Sequence, residues 1–199
     1  MAKGVKIMNQ LIINERTSPV FQCVCFFTNE NKGNNQFFMN YEGIKMSGEE
    51  RSLPNGWETS CFIKNKSDKN RKVEFLFILP AANEKEGCSY ISPIDQSITS
   101  FAGEKIEWLA SEISGVGEIH PYLIEQKQIM RNYDRLFSLK YPYVPILAGE
   151  HVRLFRLRTE LPPSAATEVF FWRLMESEEK NAKSIIRRAK NRLAFTKKK

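Results

Sequence analysis

Histidine is scarce in this 199-residue chain: only His120 and His151 occur, and they share no motif. The cysteines are Cys23, Cys25, Cys61 and Cys88, one C-x-C pair and two that stand alone, which is not the paired-knuckle spacing of a zinc site. No nucleophile signature surrounds any of them. The chain contains no G-x-S-x-G and no H-E-x-x-H. Gly115-Val-Gly117 leads into no Gly-Lys-Ser/Thr and reads as a turn rather than a phosphate loop. The acids are scattered. Glu84/Glu86, Glu104/Glu107 and Glu176/Glu178/Glu179 read as solvated faces, with no dyad among them. These absences predict a protein that is not an enzyme and uses no cofactor and no metal.

Also missing is any run of about 18 apolar residues, so no transmembrane helix is expected. Lys3 and Lys6 precede no apolar stretch of signal-peptide length, which predicts a cytoplasmic chain. In that compartment the four thiols are expected to be reduced and to serve as small buried hydrophobes. On a strand, Cys23 and Cys25 share a face.

What the chain does have is aromatic weight and a lopsided charge. Fourteen Phe, six Tyr and three Trp make 12% of it, too much for a disordered body. The net charge of +7 comes entirely from the end: Lys180 to Lys199 holds nine Lys/Arg and no acid. Residues 1–179 hold the other 21 bases against 23 acids, a net of −2. A block like this points to an anionic partner.

Hydrophobic patterning is mostly that of strands. Phe21–Thr28 predicts one, and Gln36–Met46 a second, bulged at Gly43. Gly48, Pro54 and Asn55-Gly56 predict turn chemistry across 47–56. Trp57–Lys64 and Arg71–Leu79 flank a polar turn, as in a hairpin or a sandwich corner, with Val73, Phe75 and Phe77 on one side. Lys105–Ile113 fits a helix face through Ile106, Leu109, Ala110 and Ile113. It equally fits strand alternation through Ile106, Trp108 and Ala110, and both readings stand. For 121–140, composition and a stripe at 122, 129, 133 and 136 predict a helix in the first part, with Pro121 in its first turn, and extended chain from about Phe137. His151–Arg158 alternates imperfectly, as a strand covered on both faces does. Glu168–Met175 predicts a final apolar strand.

From Glu176 the pattern turns helical, with a narrow stripe of Ala182, Ile185, Ile186, Ala189 and Leu193. The candidate binding residues are the bases around that stripe and beyond it: Lys183, Arg187, Arg188, Lys190, Arg192, Lys197, Lys198 and Lys199. They suit nucleic-acid phosphates, an anionic membrane or a partner's groove. The fourth reading is a solvated helix that packs its stripe on the sandwich.

The stretch Tyr141-Pro-Tyr-Val-Pro-Ile-Leu-Ala-Gly-Glu, then Val152-Arg-Leu-Phe-Arg-Leu-Arg, Leu161-Pro-Pro and Glu168-Val-Phe-Phe-Trp172, resembles the late strands of PapD-like periplasmic chaperone domains. Ile63-Lys-Asn-Lys-Ser-Asp68 is similar to a turn common in such sandwiches. The resemblance implies an immunoglobulin-like β-sandwich and does not carry over pilus assembly. The expected architecture is therefore a mainly-β sandwich domain over 1–175, with one or two internal helices, and a basic helical tail over 176–199. The expected role is non-enzymatic binding, the sandwich meeting a protein partner and the tail an anionic surface. The alternative is a nucleic-acid-binding protein, viral or mobile-element encoded.

Overall fold

The computed structural model describes residues 11–13, 20–26, 36–41, 43–53, 55–80, 87–102, 105–176 and 184. In chain order the strands are β1 (Leu11–Ile13), β2 (Val20–Phe26), β3 (Gln36–Tyr41), β4 (Ile44–Leu53), β5 (Gly56–Asn65), β6 (Arg71–Pro80), β7 (Cys88–Ile91), β8 (Ile98–Ala102), β9 (Lys105–Ile113) and β10 (Glu118–Glu125). A short helix α1 (Gln126–Arg131) and a 3-10 segment (Tyr133–Ser138) come after β10. Then come β11 (Ile146–Ala148), β12 (His151–Leu161) and β13 (Ala166–Glu176). The smaller sheet has the order β1-β2-β6-β12-β10, and the larger β11-β7-β8-β9-β13-β5-β4-β3. Every pairing is antiparallel except β2 with β6.

Period-two alternation builds the core between the sheets. Val73, Phe75, Phe77 and Leu79 of β6 and Phe155 and Leu157 of β12 face Cys61 and Ile63 of β5 and Val169 and Phe171 of β13. Phe171 is the joint: its ring stacks on Phe77 at 5.1 Å and meets Phe155 edge-on at 5.5 Å, both from the other sheet. Burying one such side chain contributes about 1.5–3 kcal/mol.

The opposite face of the smaller sheet is also covered. Leu76, Ile78, Val152 and Leu154 pack against Ile129 of α1 and Leu136 of the 3-10 segment. β12 is thus apolar on both faces, as its broken alternation predicts. The opposite face of the larger sheet carries its own cluster: Trp108, Ala110, Phe170, Trp172 and Leu174.

One polar side chain ties the turns at one end. Asn65 is fully buried, and its Nδ2 donates to Lys69 O (2.7 Å), Leu161 O (2.9 Å) and Pro162 O (3.0 Å). Its Oδ1 accepts from the Ser67 amide and hydroxyl. The polar turn after Asn65 is accordingly a corner that takes the chain from one sheet to the other, because β5 and β6 lie in different sheets.

Several expectations are corrected. Residues 36–56 hold a hairpin: Gly43 (φ +83°) is its turn rather than a bulge, and β4 runs straight through Gly48. Pairing of Gly48 with Cys61 on β5 overrides the local turn signals. Pro121 lies inside β10, not at a helix start. β10 is the last strand of its sheet among the described residues, the position in which a strand tolerates proline. Helical structure in this stretch is confined to α1 and the 3-10 segment, which is kinked at Arg135, and the chain turns extended at Leu139, close to the expected boundary. Lys105–Ile113 is a strand.

Candidate functional site

The apolar core gives way at one end to a chain of buried polar groups. Its members come from five strands: Ser89 (β7), Ser100 (β8), Glu107 (β9), His151 and Arg153 (β12) and Arg173 (β13). Glu107 and Arg173 point inward from the larger sheet, and Arg153 points inward from the smaller one. The three meet in a triad in which Arg153 Nη1 donates to Glu107 Oε2 and Arg173 Nε to Glu107 Oε1. Arg153 Nη1 also reaches Ser100 Oγ at 3.1 Å, and its Nη2 donates to Pro80 O at 2.5 Å. Burial pushes the Arg153 pKa down, and the neighbouring Glu107 carboxylate opposes that shift.

From Ser100 the chain runs on to a histidine. Ser89 and Ser100 hydroxyls lie 2.6 Å apart, and Ser89 Oγ is 2.6 Å from His151 Nε2. The other ring nitrogen, Nδ1, is 2.6 Å from Gly149 O. A carbonyl accepts only, so Nδ1 carries the proton and Nε2 accepts from Ser89. Ser100 in turn donates to Ser89 and accepts from Arg153. Burial lowers the His151 pKa below 6.5, reinforced by the Arg153 charge and opposed by the Gly149 bond. The neutral imidazole fits this hydrogen-bond order.

A serine hydroxyl donating to a histidine nitrogen is the first half of a nucleophile–base pair. Here both partners are buried, Ser89 completely, and a backbone carbonyl rather than a carboxylate orients the ring. As folded, no substrate carbonyl can approach Ser89 Oγ. The arrangement braces the sandwich by linking the β7–β8 end of the larger sheet to β12.

A second ionic cluster lies on the outer face of the smaller sheet. Glu74 accepts from Arg156 Nε and, at 2.8 Å, from Arg158 Nε. Arg156 donates further to Phe137 O (2.6 Å) and Leu139 O (3.1 Å), and its guanidinium lies 5.7 Å from the Tyr141 ring centre. Burial raises the Tyr141 pKa, with Arg156 opposing, and the phenol donates to Leu136 O at 2.5 Å. Arg156 therefore fastens the 3-10 segment, Leu139 and Tyr141 to the sheet. Beside Glu74, a groove of about 460 Å³ is lined by Lys72, Val116, Glu118, Arg158 and Glu160.

A third feature is exposed. Ile146 of β11 pairs in register with Tyr90 of β7, and the Tyr90 ring stacks on Phe101 of β8 at 6.0 Å. Ile146, Phe101 and nearby Tyr143 are exposed. β11 is the last strand of its sheet, with no strand on its outer side among the described residues.

The sequence-predicted binding residues, Lys183, Arg187, Arg188, Lys190, Arg192, Lys197, Lys198 and Lys199, all lie outside the described residues. Of the two histidines, His120 is exposed, 3.5 Å from Glu118, and His151 belongs to the buried chain. Cys61 is buried and Cys88 half-buried, both as free thiols. Glu107, read from sequence as part of a solvated face, is buried at the centre of the triad. Sequence reasoning does not assemble Ser89, Ser100, Arg153, Arg156 and Arg173 as a set. Their signal is Arg153 and Arg156, two of the three arginines in His151–Arg158: a strand apolar on both faces cannot leave such charges unpaired. No protein-family model matches the chain, and no curated protein matches it in sequence.

Proposed function

We propose that this protein is a non-enzymatic binding module, a braced β-sandwich that meets a protein partner and whose basic C-terminal segment contacts an anionic surface. The observation that carries this reading is the segregation of charge. The bases at and beyond Lys180 number nine without an acid, while residues 1–179 carry 21 bases and 23 acids. In the described part, Arg153, Arg156 and Arg173 are committed to buried carboxylates, and the acid-free block from Lys180 carries the sequence's net positive charge. The protein partner is assigned to the β11 edge. There the last strand among the described residues carries exposed Ile146, with exposed Phe101 two strands in on β8, a combination suited to an added extended strand. An immunoglobulin-like arrangement, resembling PapD-like domains in the 141–175 stretch, is consistent with that role.

The experiment compares the full chain with a variant neutralised at Arg187 and Arg188, titrating each into labelled duplex DNA and into vesicles with and without phosphatidylserine. If about five side chains reach phosphates, log affinity for DNA falls with log salt at a slope of about −4 to −5. The double neutralisation reduces that slope by about 2 without sequence preference. Binding to anionic vesicles alone selects the membrane as the anionic surface, whereas a salt-sensitive DNA isotherm selects nucleic acid. Absence of binding to either removes the anionic contact. For the edge, Ile146→Lys is expected to abolish capture of a partner that survives nuclease treatment.

A further inference from the structure

β3 is the last strand of the larger sheet among the described residues, and it differs from the other strands in that position. β1 and β11 are three residues long, too short a ladder to hold a second chain by backbone alone. β10 is interrupted by Pro121. β3 runs six residues, Gln36-Phe-Phe-Met-Asn-Tyr41, with no proline and no charged residue, so none of these devices blunts its edge. The register of its hairpin says which backbone groups that edge offers. Tyr41 pairs with Ile44 with only two residues between them, so this pair exchanges both backbone hydrogen bonds. In an antiparallel ladder such pairs alternate with non-bonded ones. Met39–Met46 and Phe37–Gly48 are therefore the other bonded pairs, and Tyr41, Met39 and Phe37 direct their N–H and C=O groups at β4. Gln36, Phe38 and Asn40 direct theirs away from β4.

We propose that β3 is a self-association edge, pairing antiparallel with β3 of a second copy about a two-fold axis at Phe38. Residues opposite each other across the junction must lie on the same side of the continuous sheet, so a residue pair sits at the axis. Centred there, Phe38 meets Phe38 of the second copy, and Gln36 meets Asn40 of the second copy. Both backbone groups of all three outward residues then bond across the junction. Any other centre within the strand leaves at least one of the three without a partner inside β3. A two-fold sets like on like, and β3 has no charge to repel its own copy. In the neighbouring strand, Glu49 lies in register with Gln36 and Lys45 with Asn40. Each row through that pair runs from an acid on one copy to a base on the other, so no row across the junction opposes like charges. The pairing uses up the edge on both copies, so it stops at a dimer. The self-association rests neither on the anionic contact nor on the β11 edge.

Sedimentation equilibrium and amide exchange on the full chain test it. A reversible dimer is expected, with the amides of Gln36, Phe38 and Asn40 gaining protection as protein concentration rises. The amides of Phe37, Met39 and Tyr41, bonded to β4, are expected to exchange at a rate independent of concentration. Phe38→Pro removes an outward N–H and no bond to β4, so it is expected to give a monomer in which Phe37 and Met39 keep their protection. Should proline disturb the hairpin, Phe38→Lys keeps the backbone and sets two like charges at the axis. It is expected to weaken dimerisation severalfold at low salt and by less at high salt. A monomer up to millimolar concentration overturns the proposal. So does a species larger than a dimer, or a dimer that both variants leave intact.

Discussion

Arg153 of β12 and Glu107 of β9 form an ion pair between the two sheets, with side chains 0% and 1% exposed. Arg173 takes the second carboxylate oxygen, so one acid holds two buried cations. Such a group does little for net stability against an apolar replacement, yet it punishes partial removal. Glu107→Ala takes the carboxylate from the fully buried Arg153 and one of the partners of Arg173, and is expected to cost about 3–5 kcal/mol in urea unfolding. Replacing all three together by Leu and Met is expected to restore stability to within about 1 kcal/mol of the parent, or to exceed it. A triple variant as unstable as Glu107→Ala would refute this account.

Asn65 makes the complementary prediction for a neutral group. Asn65→Ala removes the donor to three carbonyls and the acceptor of two Ser67 bonds at a partly buried corner. The expected loss is about 3 kcal/mol, since unsatisfied buried groups cost about 1–3 kcal/mol each and the exposed turn carbonyl regains water. Gly43→Ala strikes the same corner from the other side: its Cβ would stand 2.9 Å from Ser67 Cβ at a φ of +83°. Its expected cost is about 1–3 kcal/mol, and the two effects should fall short of additive because the sites share Ser67. A double-mutant cycle in urea tests this.

How much of this the sequence discloses depends on the range of the forces involved. The strands at 57–64, 71–79, 151–158 and 168–175 are legible because alternation and burial on both faces are local patterns. β4 is not, because Gly48 and Pro54 write a turn that only pairing with β5 overrules. Pro121 misleads for the same reason: whether it starts a helix or sits at an edge is decided by where β10 falls in the sheet order. The triad is illegible because Glu107, Arg153 and Arg173 are far apart in sequence and meet only when the sheets stack. The basic block, by contrast, is visible at once, since charge composition needs no fold.

Arg156 offers a test that separates geometry from charge. Its Nε, Nη1 and Nη2 reach Glu74, Leu139 O and Phe137 O. Lysine keeps the charge and loses the fork. Arg156→Lys is therefore expected to loosen residues 133–141 from the sheet, read as faster amide exchange there, while β6 and β12 keep their protection. Uniform exchange changes across the sheet would indicate instead that the pair stabilises the whole sandwich.

His151 sets the response to acid. Its pKa in the folded protein lies below the usual 6.5, chiefly through burial, with Arg153 beside it adding to the shift and Gly149 O resisting it. The unfolded chain therefore binds the proton first. Stability is complete above about pH 6.5 and is lost as pH falls through that value toward the depressed folded pKa. Protonation would also turn Nε2 from acceptor to donor against the Ser89 hydroxyl, reversing the Ser89–Ser100–Arg153 order. Glu125, opposite His151 in register, is exposed and leaves that ordering to the buried groups. Within this window each pH unit is expected to remove up to about 1.4 kcal/mol. Glutamine keeps an acceptor and a donor but does not titrate. His151→Gln should thus lower stability at pH 7.5 modestly and flatten the dependence of the urea midpoint between pH 7 and pH 5. If the variant keeps the parent's slope, carboxylates elsewhere govern the acid response, and the His151 chain is only a brace.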